Sequence, residues 1–290
     1  MFTTLSFGEV LWDVFPGYKK PGGSPANLAY HLHCLGNRSL LLSRVGDDQP
    51  GRELLSFLET RGLDLSFIQT DKNLPTGEVT VTFTGNEPSY IIHQPSAWDA
   101  IEITELLNKE LNNLDAVCFA SLSQRDEHSA SALSKIIEGV PEKCLKVFDL
   151  NLRPPFIPKQ TIIKHIHDTD IVKLNEEEYA TVSDWFDTEN LAEKLLGIDP
   201  SKTVLVTKGS EGSIMHTSMG TFIEKAHPVS GDGDFVGVGD AFLACFTHLR
   251  LLHTPDNEIL KLANKYAAFV ASSKGGMPDI PAGIITSITT

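Results

Sequence analysis

The chain has 290 residues, which is long enough for one large α/β domain with a full core or for two small domains. A formal net charge of −14 disfavours a broad electrostatic surface for DNA, RNA or anionic lipid, so we expect neither a nucleic-acid nor a membrane partner. The four cysteines lie far apart without metal-binding spacing, and no apolar run resembles a signal peptide or a membrane span. These features predict a cytoplasmic protein that acts on a small molecule.

Short β-rich runs alternate with amphipathic stretches along most of the chain. This alternation predicts an α/β fold with a largely parallel central sheet covered by helices on both faces. Helices are predicted near residues 53–62 and after Thr104, which suits an N-terminal cap. The predicted strands are residues 40–45, 116–120, 146–150, 170–174 and 203–207.

One segment, residues 78–93, breaks this rhythm. Side chains alternate in residues 78–84 and 89–93, and the turn-forming sequence at 85–88 between them indicates a hairpin. With an early strand at residues 12–15, the hairpin could form a small separate sheet. We therefore predict one domain over residues 1–290, with a small β lid built from approximately residues 11–20 and 76–94.

A glycine-rich loop precedes the first predicted helix. Ser24 suits its N-cap and Pro25 its first position, and Gly36 is predicted to end it. The adjacent glycines Gly22 and Gly23 let backbone approach a ligand closely. A simple turn before a helix would explain the same glycines.

Two polar residues flank this loop in the sequence. Asn27, one turn into the helix, can both donate and accept hydrogen bonds toward a polyol. Asp13, placed at the end of an apolar first strand, could bind two neighbouring hydroxyls, although a solvated turn residue is the alternative. The combination suits a ligand of the size of a sugar.

The strongest local signal is residues 234–242, where glycines open an amphipathic helix. Gly237 and Gly239 expose backbone N–H groups at the positive end of the helix dipole, which suits a phosphoryl group. Asp240, in the first turn, could accept the proton of an attacking hydroxyl, or it could only stabilise the helix. No GxGxxG after a strand and no GxxxxGK[ST] occurs in the sequence, so a different nucleotide-binding fold is required.

Together these two segments resemble the signatures of the PfkB, or ribokinase-like, carbohydrate kinase family, and its fructokinase-like branch most closely. The first signature is found at residues 22–29, with Gly36 and Gly46 at the family's spacing, and the second at residues 234–242. The resemblance covers essentially the whole chain. It implies a ribokinase-like three-layer sandwich that transfers the γ-phosphate of ATP to a hydroxyl of a small sugar, with fructose as the expected substrate.

The resemblance also implies roles for individual residues. Asp240 would be the catalytic base, with Gly237 and Gly239 stabilising the phosphoryl charge and Arg153, in the segment that begins at Asp149, near the phosphate path. The residues expected to bind the sugar are Asp13, Gly22, Gly23 and Asn27.

Other positions match the family's nucleotide and metal motifs. Asn175 and Glu178 would place Mg²⁺ and the phosphates, with Glu178 acting on the metal indirectly. The resemblance further implies a monovalent cation, K⁺, near Asp234 and Val236, although Phe235 departs from the family pattern there. The remaining positions expected around the nucleotide are Thr207, Gly209, Gly212, Asn264 and Gly276.

Alternatives to a fructokinase remain open from the sequence. A PfkB kinase for ribose, a nucleoside or a keto-deoxy sugar acid is one, although residues 78–93 contain no Arg or Lys for a carboxylate. A non-catalytic sugar or nucleotide sensor is another.

Three smaller predictions concern the surface and the packing. An exposed edge of the lid could pair two subunits in a homodimer. The histidine pairs His31/His33 and His165/His167 are predicted at the surface, and Trp98 is either a feature of the fructokinase-like branch or a packing aromatic.

Overall fold

The computed structural model describes residues 1–84, 87–153 and 157–289 of the chain. Strands and helices alternate along these ranges. The strands are β1 (Thr3–Phe7), β2 (Leu11–Phe15), β3 (Tyr18–Gly22), β4 (Arg38–Gly46), β5 (Ile68–Asp71), β6 (Gly77–Thr84), β7 (Glu87–Ile92), β8 (Ala116–Ala120), β9 (Leu145–Asp149), β10 (Ile171–Asn175), β11 (Thr203–Thr207), β12 (Ser213–Thr217) and β13 (Gly220–Glu224). The helices are α1 (Ser24–Cys34), α2 (Gln49–Thr60), α3 (Glu105–Glu110), α4 (Glu127–Gly139), α5 (Lys159–Asp168), α6 (Glu176–Trp185), α7 (Leu191–Ile198), α8 (Val238–Leu251), α9 (Asp256–Ala271) and α10 (Ala282–Thr289).

The central sheet has the strand order β13-β12-β11-β10-β9-β8-β1-β4-β5. From β11 to β5 all neighbours are parallel, and β12 and β13 extend the β11 edge in antiparallel pairs. Because a parallel sheet is covered on both faces, β8 is buried at every position. The five predicted strands all belong to this sheet, with ends within two residues of the prediction, and the α/β class is confirmed.

Helices pack on both faces of the central sheet. One face packs against α3 to α7 through a cluster that includes Phe148, Leu133 and Ile166. The other packs against α1, α8 and α9 through a cluster that includes Val147 and Leu32. The neighbours Val147 and Phe148 belong to opposite clusters because successive side chains of a strand point to opposite faces. The expected three-layer sandwich is confirmed.

A second, small sheet has the order β3-β2-β6-β7. β2 pairs antiparallel with β3 and parallel with β6, and β6 and β7 form the predicted hairpin. The sequence analysis missed β3, which contains a proline and a glycine that disfavour strands. The predicted connection at 85–88 was too long, since residues 87 and 88 belong to β7; residues 85 and 86 lie outside the described residues.

The parallel strands bring several predicted site residues to one edge of the central sheet. β9 ends at Asp149, β10 at Asn175 and β11 at Thr207. After β1 the chain leaves the central sheet and forms β2 and β3 of the small sheet. It then returns to the central sheet through Gly23 and α1. Ligands of open parallel α/β sheets bind beyond the carboxyl ends of the strands, so this edge is where a site is expected.

Two histidines expected at the surface are buried instead. His31 is 0% exposed and His165 is 3% exposed, whereas His33 and His167 are exposed. Residues two apart on a helix point in different directions, so one member of each pair faces the core. The surface prediction was therefore wrong for His31 and His165.

Several smaller predictions concern packing. Trp98 is buried, with the Arg125 guanidinium 3.9 Å from its ring centroid, which favours the packing role for this aromatic. The four cysteines are unpaired, as predicted. Within the described ranges, no helix is both long enough and apolar enough to cross a membrane.

Candidate active site

The start of α1 follows directly from the small sheet. Gly23 is the N-cap, with a φ of 109° that L side chains rarely adopt, and a Cβ there would lie 2.4 Å from the carbonyl oxygen of Glu9. The prediction of Ser24 as N-cap was wrong by one residue, because Ser24 is the first residue of the helix and Pro25 the second. The Ser24 hydroxyl is therefore available to another partner.

That partner is Asp240, in the first turn of α8 as predicted. Ser24 Oγ donates to Oδ1 of Asp240 at 2.6 Å, and Asn27 Nδ2 donates to Oδ2 at 2.8 Å. The two glycine-rich segments, more than 200 residues apart in the chain, thus meet at one carboxylate.

The surroundings of Asp240 raise its affinity for a proton. Burial, and then the nearby Asp149, raise the pKa of Asp240 above its usual range, although Ser24 and Asn27 oppose the change. Asp149 itself forms a buried ion pair with Lys173, whose Nζ lies 2.9 Å from Oδ1 and 3.0 Å from Oδ2. A carboxylate with a raised pKa that is held by two donors is suited to accept a proton from a bound hydroxyl.

Asp13, on the small sheet, lies beside Gly22, just before the start of α1. It lies in the middle of β2, and the prediction that it ends the first strand was wrong, since that strand ends at Phe7. A Cβ at Gly22 would lie 2.4 Å from Oδ2 of Asp13, so the absence of a side chain at Gly22 makes room for this carboxylate. Burial raises the pKa of Asp13 to about 6, with Arg153 and Lys20 acting in the opposite direction.

Three backbone segments meet behind Asn27. A Cβ at Gly276 would lie 2.5 Å from Oδ1 of Asn27, and a Cβ at Gly237 would lie 2.7 Å from Cα of Gly276. Gly237 also has a φ of 72°, in the left-handed region that favours glycine. Only glycine at these two positions lets α1, the loop before α8 and residues 275–276 approach so closely.

His31 supports this junction from the core. Its Nε2 lies 3.0 Å from the carbonyl oxygen of Gly276, and its Nδ1 lies 3.0 Å from the hydroxyl of Tyr266. Burial lowers the pKa of His31 to about 4, so the ring is neutral at pH 7. Because a carbonyl can only accept, Nε2 carries the proton and Nδ1 accepts from Tyr266.

The loop before α8 is tied to the small sheet through Asp234. Lys20 Nζ lies 2.7 Å from Oδ2, while the N–H groups of Gly275 and Val236 donate to Oδ1 at 3.0 and 3.3 Å. Burial acts to raise the pKa of Asp234, but these donors outweigh it and lower the pKa. A monovalent cation at Asp234 and Val236, as predicted, would compete with the Lys20 ammonium for the carboxylate.

Asn175 and Glu178 form a capping box at the start of α6. The Glu178 carboxylate accepts from the N–H of Asn175 and from the N–H of Leu152, each at 2.8 Å. Because both oxygens already accept backbone hydrogen bonds, Glu178 is suited to act on a metal ion through water or phosphate, as the indirect role predicts. The bond to Leu152 also fixes the backbone beside Arg153, whose side chain is exposed at the same edge.

The predicted nucleotide loop follows β11. Thr207 ends this strand, a short 3₁₀ turn covers Gly209–Glu211, and Gly212 leads into β12. Gly212 has a φ of 107°, and a Cβ there would lie 2.1 Å from the carbonyl oxygen of Glu224. The tight turn therefore depends on glycine, and it leaves the backbone of residues 207–209 at the carboxyl edge of the sheet.

Asn264, on α9, is held by its neighbours. Its Oδ1 accepts from Ser213 Oγ at 3.0 Å, and its Nδ2 donates to the carbonyl oxygens of Glu224 and Lys225 at 3.2 and 3.3 Å. The amide thus joins α9 to the β12–β13 edge. If Asn264 lies near the adenine as predicted, its role would be to hold the surrounding backbone in position.

Four residues of this site were missed or misassigned by the sequence analysis. Lys173 is a charged residue inside the apolar run Ile171–Asn175, which is a signal that the sequence does carry. Ser24 was predicted as the N-cap of α1 and not as a partner of Asp240, and Lys20 lies on the strand that was not predicted. Glu9, which is buried just after β1, was not considered.

Metal binding would depend on the nucleotide. Across residues 1–84, 87–153 and 157–289, no group of three or more His, Cys, Asp or Glu side chains is arranged to hold a metal ion. A divalent ion would fit beside Glu178 and Asp149 only if phosphate oxygens completed its coordination, which is how Mg²⁺ usually binds at nucleotide sites.

Comparison with known proteins identifies the family of the chain. Residues 3–283 match the family described as pfkB family carbohydrate kinase. The chain belongs to this family. It is 30% identical to "Probable fructokinase-4" of Arabidopsis thaliana, over 96% of this chain and 93% of that protein.

Solved structures of two fructokinases share the fold. The fructokinase of Xylella fastidiosa with bound ATP superposes with a TM-score of 0.87 at 21% identity, covering 99% of this chain and 97% of that one. The fructokinase of Vibrio cholerae in its form bound to fructose, ADP and calcium ion superposes with a TM-score of 0.82 at 22% identity, covering 100% and 99%. The ribokinase-like three-layer sandwich is thereby confirmed for this pfkB-family chain.

Proposed function

We propose that this chain transfers the γ-phosphate of ATP to a hydroxyl of fructose, with Asp240 as the base. The observation that carries the proposal is the buried Asp240 carboxylate, which Ser24 and Asn27 hold at 2.6 and 2.8 Å at the start of two helices. A helix stabiliser alone would not need two donors from another helix. The raised pKa of Asp240, caused mainly by burial, also suits a proton acceptor.

In the proposed reaction the sugar lies between Asp13 on the small sheet and the first turn of α1. Asp13 accepts hydrogen bonds from sugar hydroxyls, and Gly22, Gly23 and Asn27 shape the floor of the site. Asp240 accepts the proton of the target hydroxyl as its oxygen bonds to the γ-phosphorus of ATP. The bond from that phosphorus to the β–γ bridging oxygen breaks, and ADP leaves.

The start of α8 is placed to stabilise the transferred group. Gly237 and Gly239 leave the backbone N–H groups of this first turn open to a ligand at the positive end of the helix dipole. Mg²⁺ bound to the phosphates would neutralise their charge and orient the γ-phosphoryl group. Arg153 adds positive charge near the phosphate path, and Glu178 keeps the backbone beside it in place.

Two kinds of observation favour fructose among the sugars of this family. Relatives that match nearly the whole chain at 29–30% identity are named fructokinases or probable fructokinases, and one fructokinase of the same fold was solved with bound fructose. The site itself favours an uncharged polyol, because Asp13 beside Gly22 and Asp240 beside Ser24 place two carboxyl groups near the start of α1. A sugar acid would need a free cation from the small sheet, and Lys20 is already paired with Asp234.

The small sheet would act as a lid over the sugar. Its strands β2 and β3 carry Asp13 and Lys20 to the site, so closure would exclude water and limit hydrolysis of ATP. We place the protein in the cytoplasm, where its four unpaired cysteines would remain reduced.

A panel of acceptors tests the proposal. ADP release is measured with fructose, ribose, glucose, a nucleoside and 2-keto-3-deoxygluconate, each with ATP and Mg²⁺, and the rate without an acceptor is subtracted. The phosphorylated product is then identified by ³¹P NMR. Fructose is expected to give the highest kcat/KM. Turnover of fructose at the background rate, with good turnover of the nucleoside, would contradict the proposal.

A further inference from the structure

A buried carboxyl group that the proposed reaction does not use lies at the start of α1. Glu9 follows β1 and is 2% exposed. Its Oε2 atom is buried and has no hydrogen-bond partner within the described part of the chain. The ionisable side chains that act on this carboxyl group are Asp240, another carboxyl group, and Arg153. Such a group is costly to bury, so its position requires a reason beyond packing.

The reason lies in the backbone that Glu9 faces. The backbone N–H groups of Ser24 and of Glu9 itself lie close enough to this carboxyl group to lower its pKa, against the effect of burial. Gly23, the N-cap of α1, has no side chain for the free N–H groups of the first turn, and that turn contains no acidic residue. Glu9, two residues after β1, is thus placed to act at α1 as an N-cap side chain acts at other helices of this protein, such as Asn190 at α7.

The residue that Glu9 faces also holds Asp240. The Ser24 N–H acts on the Glu9 carboxyl group, and the Ser24 hydroxyl donates to Oδ1 of Asp240 at 2.6 Å. A side chain at Gly23 could not take over the role of Glu9, because a Cβ there would lie 2.4 Å from the carbonyl oxygen of Glu9 and 3.1 Å from Cα of Val10. We infer that Glu9 is a positioning residue, which fixes Ser24 at the start of α1 so that Ser24 holds the Asp240 carboxylate toward the target hydroxyl. The inference rests on the proposed function, since it acts through the base of that reaction.

The charge of Glu9 determines how it can be replaced. Burial first, and the Asp240 charge in addition, raise the pKa of Glu9 to about 7, while the backbone N–H groups and Arg153 act against the change. A neutral Glu9 adds no second negative charge beside Asp240 and the phosphates. Glutamine keeps that neutral shape and an oxygen for the Ser24 N–H, whereas alanine removes both.

Four variants test the inference: Glu9→Gln, Glu9→Ala, Ser24→Ala and the double variant Glu9→Ala/Ser24→Ala. We expect Glu9→Ala to lower kcat by roughly tenfold or more, because small misplacements of a reacting group are costly. KM for sugar and for ATP should change little, and Glu9→Gln should restore most of kcat. The loss of kcat in the double variant should be no larger than the loss in the more affected single variant, since both changes interrupt the same path from Glu9 through Ser24 to Asp240.

Two further measurements separate positioning from folding. Asn190→Ala removes a matched cap at α7, away from the site, and should lower the melting temperature without lowering kcat. Amide exchange of Ser24, followed by NMR, should be faster in Glu9→Ala than in the wild type and normal in Glu9→Gln. This readout does not depend on turnover.

The outcomes that would overturn the inference are distinct from a failure of the proposed function. An active wild type with an unchanged kcat in Glu9→Ala, or with fully additive losses in the double variant, would overturn the role of Glu9 alone. A kcat in Glu9→Gln as low as in Glu9→Ala would do the same. A wild type that phosphorylates none of the sugars would instead contradict the proposed function.

Discussion

Nζ of Lys20 on β3 lies 2.7 Å from Oδ2 of Asp234, so an ion pair joins the small sheet to the loop before α8. The two side chains are 35% and 25% exposed, and a partly solvated pair of this kind contributes only about 0–1 kcal/mol to stability. Its importance is positional. The pair ties the proposed lid to the phosphate loop and places a positive charge where the sequence predicts a monovalent cation.

Replacing this lysine should expose the cation site. In Lys20→Met the Asp234 carboxylate loses its ammonium partner, so we expect stimulation by K⁺ to be larger than in the wild type, together with a higher KM for sugar. Initial rates in KCl and in tetramethylammonium chloride at equal ionic strength measure the effect. Lys19→Met, which removes the neighbouring ion pair with Glu53, is the matched control. Equal stimulation by K⁺ in wild type and Lys20→Met would refute the competition between Lys20 and a cation.

Asp13→Ala should weaken sugar binding far more than ATP binding. Hydrogen bonds to a charged group contribute about 1.5–3 kcal/mol, so the dissociation constant for the sugar should rise roughly ten- to a hundredfold. Calorimetric titrations with fructose and, separately, with a non-hydrolysable ATP analogue provide the comparison. Equal losses for the two ligands would indicate that Asp13 has a structural role in the small sheet instead.

Gly276→Ala should disrupt the junction between α1 and the loop before α8. The added Cβ would lie 2.5 Å from Oδ1 of Asn27, which can move away only by leaving Asp240. We expect a large loss of kcat with a smaller change in melting temperature. Gly283→Ala, on α10, adds a methyl group that meets no atom of the described residues within 4 Å outside its own stretch of helix, and it should behave like the wild type. Full activity in Gly276→Ala would mean that the close packing around Asn27 is not required.

His165→Phe should make the protein more stable in acid. Burial lowers the pKa of His165 to about 4 from 6.5, and its Nδ1 has no partner within the described residues. Between those two values the unfolded chain binds more protons than the folded chain, so stability falls as the pH falls. At pH 5 this loss of folding stability amounts to about 2 kcal/mol. Phenylalanine in the same place, beside Phe119 and Phe148, does not titrate, so the variant would not show the loss. Urea unfolding at pH 5 and pH 8 measures it, and an equal gain at both pH values would contradict the explanation.

The sequence predicted the elements whose residues carry their own local signal. The buried parallel strands are continuous apolar runs, and Thr104 and Gly36 mark helix ends, so these were found within one or two residues. β3 was missed because Pro21 and Gly22 disfavour a strand, and its pairing with β2 supplies what local propensity does not. The burial of His31 likewise depends on Tyr266 and Gly276, which are distant in the sequence.

For the candidate site, too, local signals could be found in the sequence and long-range pairings could not. Asp240, Asn27 and the glycines could be chosen as candidate site residues because their types and spacing suit phosphate and sugar chemistry, and their roles stay predictions. The hydrogen bond from Ser24 to Asp240 and the burial of Glu9 near them could not be worked out from residue types alone, since Ser24 looks like an ordinary cap and Glu9 like an ordinary acidic residue. Pairings such as Lys20 with Asp234 depend on how the small sheet lies against α8, which no local pattern specifies.

The replacement Asp240→Asn tests the central claim most directly. The amide is nearly isosteric, its oxygen can accept from Asn27, and its NH₂ can donate to Ser24, so fold and ligand affinities should be retained while no proton can be taken up. Positioned acid–base groups contribute about 10²–10⁴-fold, and kcat for fructose phosphorylation should fall by at least that range. The measurements are kcat at saturating fructose and ATP and the melting temperature, each for the wild type and the variant. A folded variant that keeps more than about a tenth of wild-type kcat, judged against that range, would contradict the assignment of Asp240 as the base.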